Sequence, residues 1–213
     1  MRPDAVPIPA CAGHRLVSAT STRHEVPRGH RGRPRADTSL DPVILVDRRD
    51  HAIGTMPKLE AHRLGRRHRA ISVMLRDGEG RLLLHRRAAG KYHSAGLWTN
   101  TCCSHPRPGE GNFEAAARRL GEEMGISAPL APLFSMRYRS RVSEALVEHE
   151  FLHVFGGVFD GAADPDPFEV ADWCWKTFAD VLREVDDRPH AYTVWFRKML
   201  GEFRNEVARF VSD

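Results

Sequence analysis

The pattern of hydrophobic and polar positions predicts short strands interrupted by helices. Compact hydrophobic runs are typical of strands at residues 43–46, 69–75, 81–87, 133–139, 148–159 and 171–176. Apolar residues at helical spacing predict helices at residues 113–124, 178–185 and 191–211, with a short helix or turn at residues 58–63. A hairpin, a helix, several strands and final helices, in that order, predict a single α/β domain with a mixed sheet.

Residues 1–38 lack this periodicity and are rich in proline, arginine, histidine and glycine. Such a segment cannot bury enough apolar surface to offset the entropy lost on ordering. We therefore predict a disordered basic tail over residues 1–38 and a folded domain over residues 39–213. An organellar or start-site extension is the alternative, because the segment is rich in arginine and poor in acidic residues.

Composition narrows the classes of partner and compartment. The formal charge of +4 favours an anionic ligand, whereas no zinc-finger spacing, RNP-type pattern or basic heptad helix points to nucleic acid. No apolar run approaches a membrane span, no signal-peptide core is present, and the four cysteines form no disulfide framework. We expect a monomeric cytoplasmic protein that binds a small phosphorylated molecule and neither nucleic acid nor membrane.

The segment WTNTCCSHP, residues 98–106, places two thiols and an imidazole between a predicted strand and a predicted helix. Short polar segments at such junctions often present catalytic groups. The thiol of Cys102 or Cys103 can serve as acid, base, nucleophile or metal ligand, and His105 as a metal ligand. The alternative is a buried cysteine pair beside an ordinary loop histidine.

Two acidic pairs are candidates for metal binding. Glu122 and Glu123 lie in the last turn of a predicted helix, where they could hold Mg²⁺ or simply face solvent. Glu148 and Glu150 are two residues apart on a predicted strand, so their carboxylates point to the same side. Buried carboxylates that face each other repel unless a cation or a shared proton lies between them.

Three histidines could complete a site around the second acidic pair. His62, His68 and His105 with the two carboxylates of that strand would form a set of three nitrogen and two oxygen ligands. Such a set suits Mn²⁺ or Zn²⁺ better than Ca²⁺. The remaining histidines are not assigned to the site, and they include His85, His93, His149, His153 and His190.

The segment from residue 104 to residue 126 resembles the Nudix box, G-x5-E-x7-R-E-U-x-E-E-x-G-U. The matching residues are Glu110, Arg118, Leu120, Glu122, Glu123, Gly125 and Ile126. Ser104 replaces the first glycine, and Arg119 replaces the glutamate of the R-E pair. In Nudix hydrolases that glutamate supports the metal-activated water, so Arg119 argues against hydrolysis. A Nudix diphosphohydrolase is kept as the second hypothesis.

Together with this altered box, WTNTCCSHP, Tyr138-Arg139 and the Glu-x-Glu strand resemble the type I isopentenyl-diphosphate isomerases. The resemblance runs from about Val43 to about Arg204. It implies a Nudix-like mixed sheet flanked by helices, in one domain. It also implies conversion of isopentenyl diphosphate to dimethylallyl diphosphate, by protonation of the alkene and deprotonation on its opposite face. A non-catalytic zinc module is the third hypothesis, although adjacent cysteines are poor zinc spacing.

The resemblance also implies a role for each matching residue. The catalytic residues are expected to be Cys103, Glu150, Tyr138 and Trp195. The residues expected to bind the diphosphate are Lys58, Arg87, Lys91, Ser104 and Arg119.

Two metal sites follow from the same resemblance. Mg²⁺ is expected at Glu123 and the backbone carbonyl of Cys103, together with the diphosphate. Mn²⁺ or Zn²⁺ is expected at the second site, whose ligands are His62, His68, His105, Glu148 and Glu150. The interval from His62 to His68 is about one residue shorter than in the best-known bacterial pattern, so these two ligands depart slightly from it.

Overall fold

This computed structural model describes residues 40–213, and the predicted tail lies outside the described residues. The described part contains nine strands: β1 Pro42–Val46, β2 Ala52–Pro57, β3 His68–Arg76, β4 Leu82–Arg87, β5 Trp98–Thr99, β6 Cys102–Ser104, β7 Ala131–Arg141, β8 Val147–Val158 and β9 Val170–Lys176. It also contains five α-helices: α1 Lys58–Leu64, α2 Asn112–Met124, α3 Phe178–Asp187, α4 Val194–Glu202 and α5 Arg204–Ser212. The prediction of a single mixed-sheet α/β domain is confirmed for this part of the chain.

Strand β3 organises the sheet, because strands pair along both of its edges. β8 runs parallel to β3 over its whole length, whereas β1, β6 and β4 pair antiparallel with the other edge. β7 pairs antiparallel with β8, and β9 and β5 pair with β4. This register places His68 opposite Glu150 and Ser72 opposite Cys103. It therefore decides which side chains share a face.

Helix α2 closes one side of the core and ends where the chain requires a glycine. Its buried Ala116, Leu120 and Met124 pack in one cluster with hydrophobic residues of β3. Gly125 then adopts a left-handed conformation with φ of 66°. A Cβ atom there would clash with the backbone oxygen of Asp164, so both the conformation and the space exclude a side chain.

The expected continuous helix over residues 191–211 is wrong, because the chain forms a 3₁₀ turn and two helices there. Thr193 donates its backbone N–H to the carbonyl of Trp98 at 2.9 Å, so the chain is extended until Val194. Phe203 leaves the helical conformation between α4 and α5 and stacks on Phe134, with ring centroids 4.4 Å apart. These tertiary contacts override the local helical spacing.

No helix within residues 40–213 combines the length and the apolar character needed to cross a membrane.

Substitution of Gly125 tests the helix end directly. We expect Gly125→Ala to lower the free energy of unfolding by about 1–3 kcal/mol, because alanine must adopt positive φ against a backbone oxygen. The matched control is Gly201→Ala within α4, where nothing lies within 4 Å of the added Cβ. That change should stabilise the protein by about 0.5–1 kcal/mol. Urea unfolding measures both, and equal midpoints for Gly125→Ala and the unsubstituted chain would contradict the account.

Candidate active site and metal centre

A cavity of about 330 Å³ is lined by residues of β6 and β8, the strands that pair with the two edges of β3. Twelve of the fourteen predicted site residues line it: Lys58, Arg87, Lys91, Cys103, Ser104, His105, Arg119, Glu123, Tyr138, Glu148, Glu150 and Trp195. The other two, His62 and His68, are fully buried and contact the glutamates that line it. The structure thus brings together all fourteen residues, although this proximity does not by itself test their roles.

Three histidines converge on the two glutamates of β8. His62 Nε2 lies 3.3 Å from Glu148 Oε2, and His68 Nε2 lies 3.6 Å from Glu150 Oε1. His105 Nε2 lies 3.2 Å from the same Glu150 oxygen. The ring centroids of His62 and His68 are 4.8 Å apart. The two rings therefore lie side by side, although their spacing in the sequence is about one residue shorter than in the best-known bacterial pattern.

The unsatisfied atoms of this cluster fit a divalent metal ion. Among the described residues, His62 Nε2, His68 Nε2 and Glu148 Oε2 are buried without a hydrogen-bond partner, which is costly unless another ligand is present. Meanwhile, His62 Nδ1 lies 2.7 Å from the carbonyl of Lys58, and His68 Nδ1 lies 2.9 Å from that of Arg66. Each carbonyl holds a proton on Nδ1, which leaves Nε2 free to coordinate a metal.

Alternation along β6 separates the two cysteines. Cys102 is completely buried in the hydrophobic cluster beneath α2, whereas Cys103 lines the cavity. Cys103 Sγ donates to Asn100 Oδ1 at 3.2 Å and lies 3.4 Å from Ser72 Oγ. Burial raises the pKa of Cys103 to about 12, and the hydroxyl of Ser72 opposes the shift. Since Cys102 faces the core, a zinc site using both cysteines and His105 does not fit this geometry.

Tyr138 and Trp195 are each held by one hydrogen bond. Tyr138 lies opposite Glu150 in the β7–β8 pair, and its hydroxyl donates to Glu150 Oε2 at 2.7 Å. Trp195, in the first turn of α4, donates from Nε1 to Thr99 Oγ1 at 2.9 Å. The Arg87 guanidinium lies 5.2 Å from the centroid of the tryptophan ring. Both aromatic side chains are therefore fixed at the cavity wall.

The same cavity also has a strongly basic region. The predicted diphosphate ligands Lys58, Arg87, Lys91 and Arg119 all contact it. Burial lowers the pKa of Lys58 and of Lys91 to about 8 each. An anion with several oxygen atoms would satisfy this group of cations.

Glu123 is the acidic residue at the centre of this basic region. Arg119 forms a short ion pair with it. Burial alone would raise the pKa of Glu123, but Arg119 and Lys91 hold it at about 2. Its neighbour Glu122 is about one third exposed and pairs with Arg118 and Arg119. Glu123 is therefore ionised and lines the cavity, whereas Glu122 belongs to the helix surface.

Sequence reasoning missed two buried residues of the site. Glu169 forms ion pairs with Lys91 and with Arg119, the latter at 3.2 Å. His93 Nε2 lies 3.0 Å from Glu148 Oε1. Both residues lie in loops or at strand ends far along the chain from their partners, and no local pattern in the sequence marks them.

Comparisons with known proteins agree on the fold and on a family. The NUDIX domain family matches residues 66–196. Isopentenyl-diphosphate Delta-isomerase 1 of Aromatoleum aromaticum is 53% identical over 155 residues, which cover 73% of this chain and 88% of that protein. Isopentenyl-diphosphate Delta-isomerase of Burkholderia multivorans is 50% identical over 158 residues, covering 74% and 90% respectively.

Solved structures support the fold alone. A crystal structure of a Deinococcus radiodurans protein covers 80% of this chain and 99% of its own, with a TM-score of 0.64 and 22% identity. The MutT protein of Methanosarcina mazei covers 66% of this chain and 94% of its own, with a TM-score of 0.56 and 20% identity.

The two lysines of the basic region predict a pH dependence for anion binding. Both are protonated below a pKa of about 8 and lose their charge above it. We therefore expect the affinity for inorganic diphosphate to fall as pH rises from 7 to 9. The matched control is the double variant Lys58→Arg with Lys91→Arg, whose guanidinium groups stay charged. Calorimetric titrations that give the same pH dependence for both proteins would contradict this prediction.

Proposed function

The chain belongs to the isopentenyl-diphosphate Delta-isomerases of the NUDIX domain family, and we propose that its cavity converts isopentenyl diphosphate to dimethylallyl diphosphate. The observation that carries the proposal is identity of about one half along nearly nine tenths of curated relatives that bear this name. The residue at position 119 supports it, because an arginine replaces the glutamate by which Nudix hydrolases support a metal-activated water.

The substrate's two ends fit the two regions of the cavity. The diphosphate would bind Lys58, Arg87, Lys91 and Arg119 through charge-assisted hydrogen bonds, with Ser104 beside them. The short hydrocarbon part would then lie over β3, between Cys103 on β6 and Glu150 on β8. These strands pair with opposite edges of β3, and both side chains face the cavity.

Moving the double bond requires an acid at C4 and a base at C2 on opposite faces of the alkene. We assign delivery of the proton at C4 to Glu150 and Tyr138, whose hydrogen bond forms a direct path for a proton. Removal of the proton from C2 is assigned to Cys103. The hydroxyl of Ser72, 3.4 Å from Sγ, can donate a hydrogen bond to the thiolate that this step needs.

The tertiary carbocation between the two proton transfers needs protection from water and a source of negative potential. The face of the Trp195 ring can stabilise a cation by up to about 2 kcal/mol in a dry site. Its hydrogen bond to Thr99 holds the ring against the cavity. Burial of Trp195 and Tyr138 keeps bulk water from the reacting carbons.

Two divalent ions fit the residues present. We propose Mn²⁺ or Zn²⁺ at the histidine cluster, held by His62, His68, His105, Glu148 and Glu150. We propose Mg²⁺ at Glu123, with the carbonyl of Cys103 and the substrate. When bound, the ions would supply positive charge to the two buried glutamates and to the diphosphate. The monomeric state and the cytoplasmic location stay predictions.

Incubation with isopentenyl diphosphate and Mg²⁺ in deuterium oxide tests the proposed function. We expect dimethylallyl diphosphate that carries solvent deuterium, and no release of inorganic phosphate or diphosphate. The hydrolase alternative predicts rapid phosphate release from nucleoside diphosphate compounds instead. Robust hydrolysis without an allylic product would overturn the proposal.

The two neighbouring thiols provide an internal control for the catalytic assignment. We expect Cys103→Ala to lower kcat by about 10²–10⁴-fold, because it removes a positioned proton-transfer group. Cys102→Ala should keep kcat within a few-fold, although it opens a small space in the core and lowers the stability. Measurement of kcat alongside thermal unfolding separates the two effects, and loss of activity only in Cys102→Ala would show that the wrong thiol has been assigned.

A further inference from the structure

His93 is a buried histidine to which the roles above assign no function. It lies in the loop between β4 and β5 and is 8% exposed. Its Nε2 atom is 3.0 Å from Glu148 Oε1, within hydrogen-bond distance. Its ring also lies 5.6 Å from that of His62. The residue therefore reaches the metal cluster from the side of the substrate cavity.

The two oxygens of Glu148 face different imidazoles. Oε2 faces His62 Nε2 and has no hydrogen-bond partner among residues 40–213, as expected of an oxygen atom that coordinates a metal ion. Oε1 faces His93 Nε2 instead. A carboxylate that is held through one oxygen presents the other in a fixed direction.

The contact with Ser94 is compatible with the tautomer of His93 that this arrangement needs. His93 Nδ1 lies 3.2 Å from Ser94 Oγ. If the serine hydroxyl donates to Nδ1, the ring proton resides on Nε2 and is available to Glu148 Oε1. This pattern resembles the hydrogen bonds that orient metal ligands in proteins, with a carboxylate and an imidazole as the pair.

We propose that His93 is a positioning residue of the metal centre, which holds Glu148 Oε1 so that Oε2 faces the ion. The inference rests on the metal site proposed above, and it holds whichever reaction the cavity catalyses. His93 differs from the assigned ligands in one respect. Among the described residues, His62 and His68 each have a buried Nε2 atom without a hydrogen-bond partner, whereas His93 Nε2 is not such an atom.

His93 also contacts two other residues that line the cavity, Trp195 and Arg87. Its ring meets the Trp195 ring edge to face, with centroids 5.9 Å apart and an interplanar angle of 89°. Its backbone carbonyl accepts a hydrogen bond from Arg87 Nη2 at 3.3 Å. His93 therefore joins the metal cluster, the aromatic wall and a diphosphate-binding arginine, and its loss should affect metal binding first.

The test measures Zn²⁺ affinity by competition with a chromophoric chelator, using the full chain stripped of metal. His93→Leu should weaken Zn²⁺ binding about 10- to 100-fold, the range typical for loss of a residue that orients a ligand. His93→Gln places an amide N–H near the position of Nε2 and should recover most of the affinity. His93→Asn is too short to reach Glu148 and should behave like His93→Leu. His190→Leu, an exposed histidine outside the cavity, is the matched control and should bind Zn²⁺ normally.

Each other result overturns the inference in a recognisable way. Normal affinity in His93→Leu and His93→Asn would show that His93 only packs in the loop. If His93→Gln binds as weakly as His93→Leu while circular dichroism shows both folded, the role of an N–H donor is wrong. If the unsubstituted chain fails to bind Zn²⁺ tightly, the metal centre itself is wrong, whereas the isomerase assay above remains an independent measurement. Should His93→Leu fail to fold, the comparison of His93→Asn with His93→Gln decides the question.

Discussion

The burial of Glu148 and Glu150 side by side on β8 is the constraint on which the site depends. Two carboxylates removed from water repel each other and lose their hydration, so an uncompensated pair would be strongly destabilising. Four imidazoles surround them, from α1, the start of β3, the loop between β4 and β5, and the residue after β6. The parallel pairing of β3 with β8 places His68 beside Glu150. The register of these two strands therefore decides which imidazole faces which carboxylate.

The basic region of the cavity needs negative charge, just as the two buried glutamates need positive charge. Four buried or half-buried cations would repel one another without anionic partners, and Glu123 and Glu169 supply two carboxylates between them. Arg119 contacts both glutamates at a position where Nudix hydrolases carry a glutamate. One difference within a shared fold thus replaces a group that Nudix hydrolases use to activate water with a cation that lines the cavity. This exchange illustrates how a fold can keep its framework while the chemistry of its site changes.

Much of this arrangement could be predicted from the sequence, because its strongest signals are local. Hydrophobic runs identified the long strands, and the two-residue interval between Glu148 and Glu150 predicted that they share a face. Short β5 and β6 leave too little pattern to detect, and β2 is largely exposed. The break at Phe203 and the position of His93 depend on tertiary contacts with Phe134 and Glu148. No local rule encodes such contacts.

The central claim is that the buried cluster is built to hold a divalent ion even before substrate binds. Elemental analysis of the purified protein, followed by thermal unfolding before and after treatment with a chelator, tests this most directly. We expect one tightly held Mn²⁺ or Zn²⁺ per chain without substrate, and a clear fall in Tm when the ion is removed that its return reverses. A protein that contains no such ion, and whose Tm is unchanged when Mn²⁺ or Zn²⁺ is added, would contradict it.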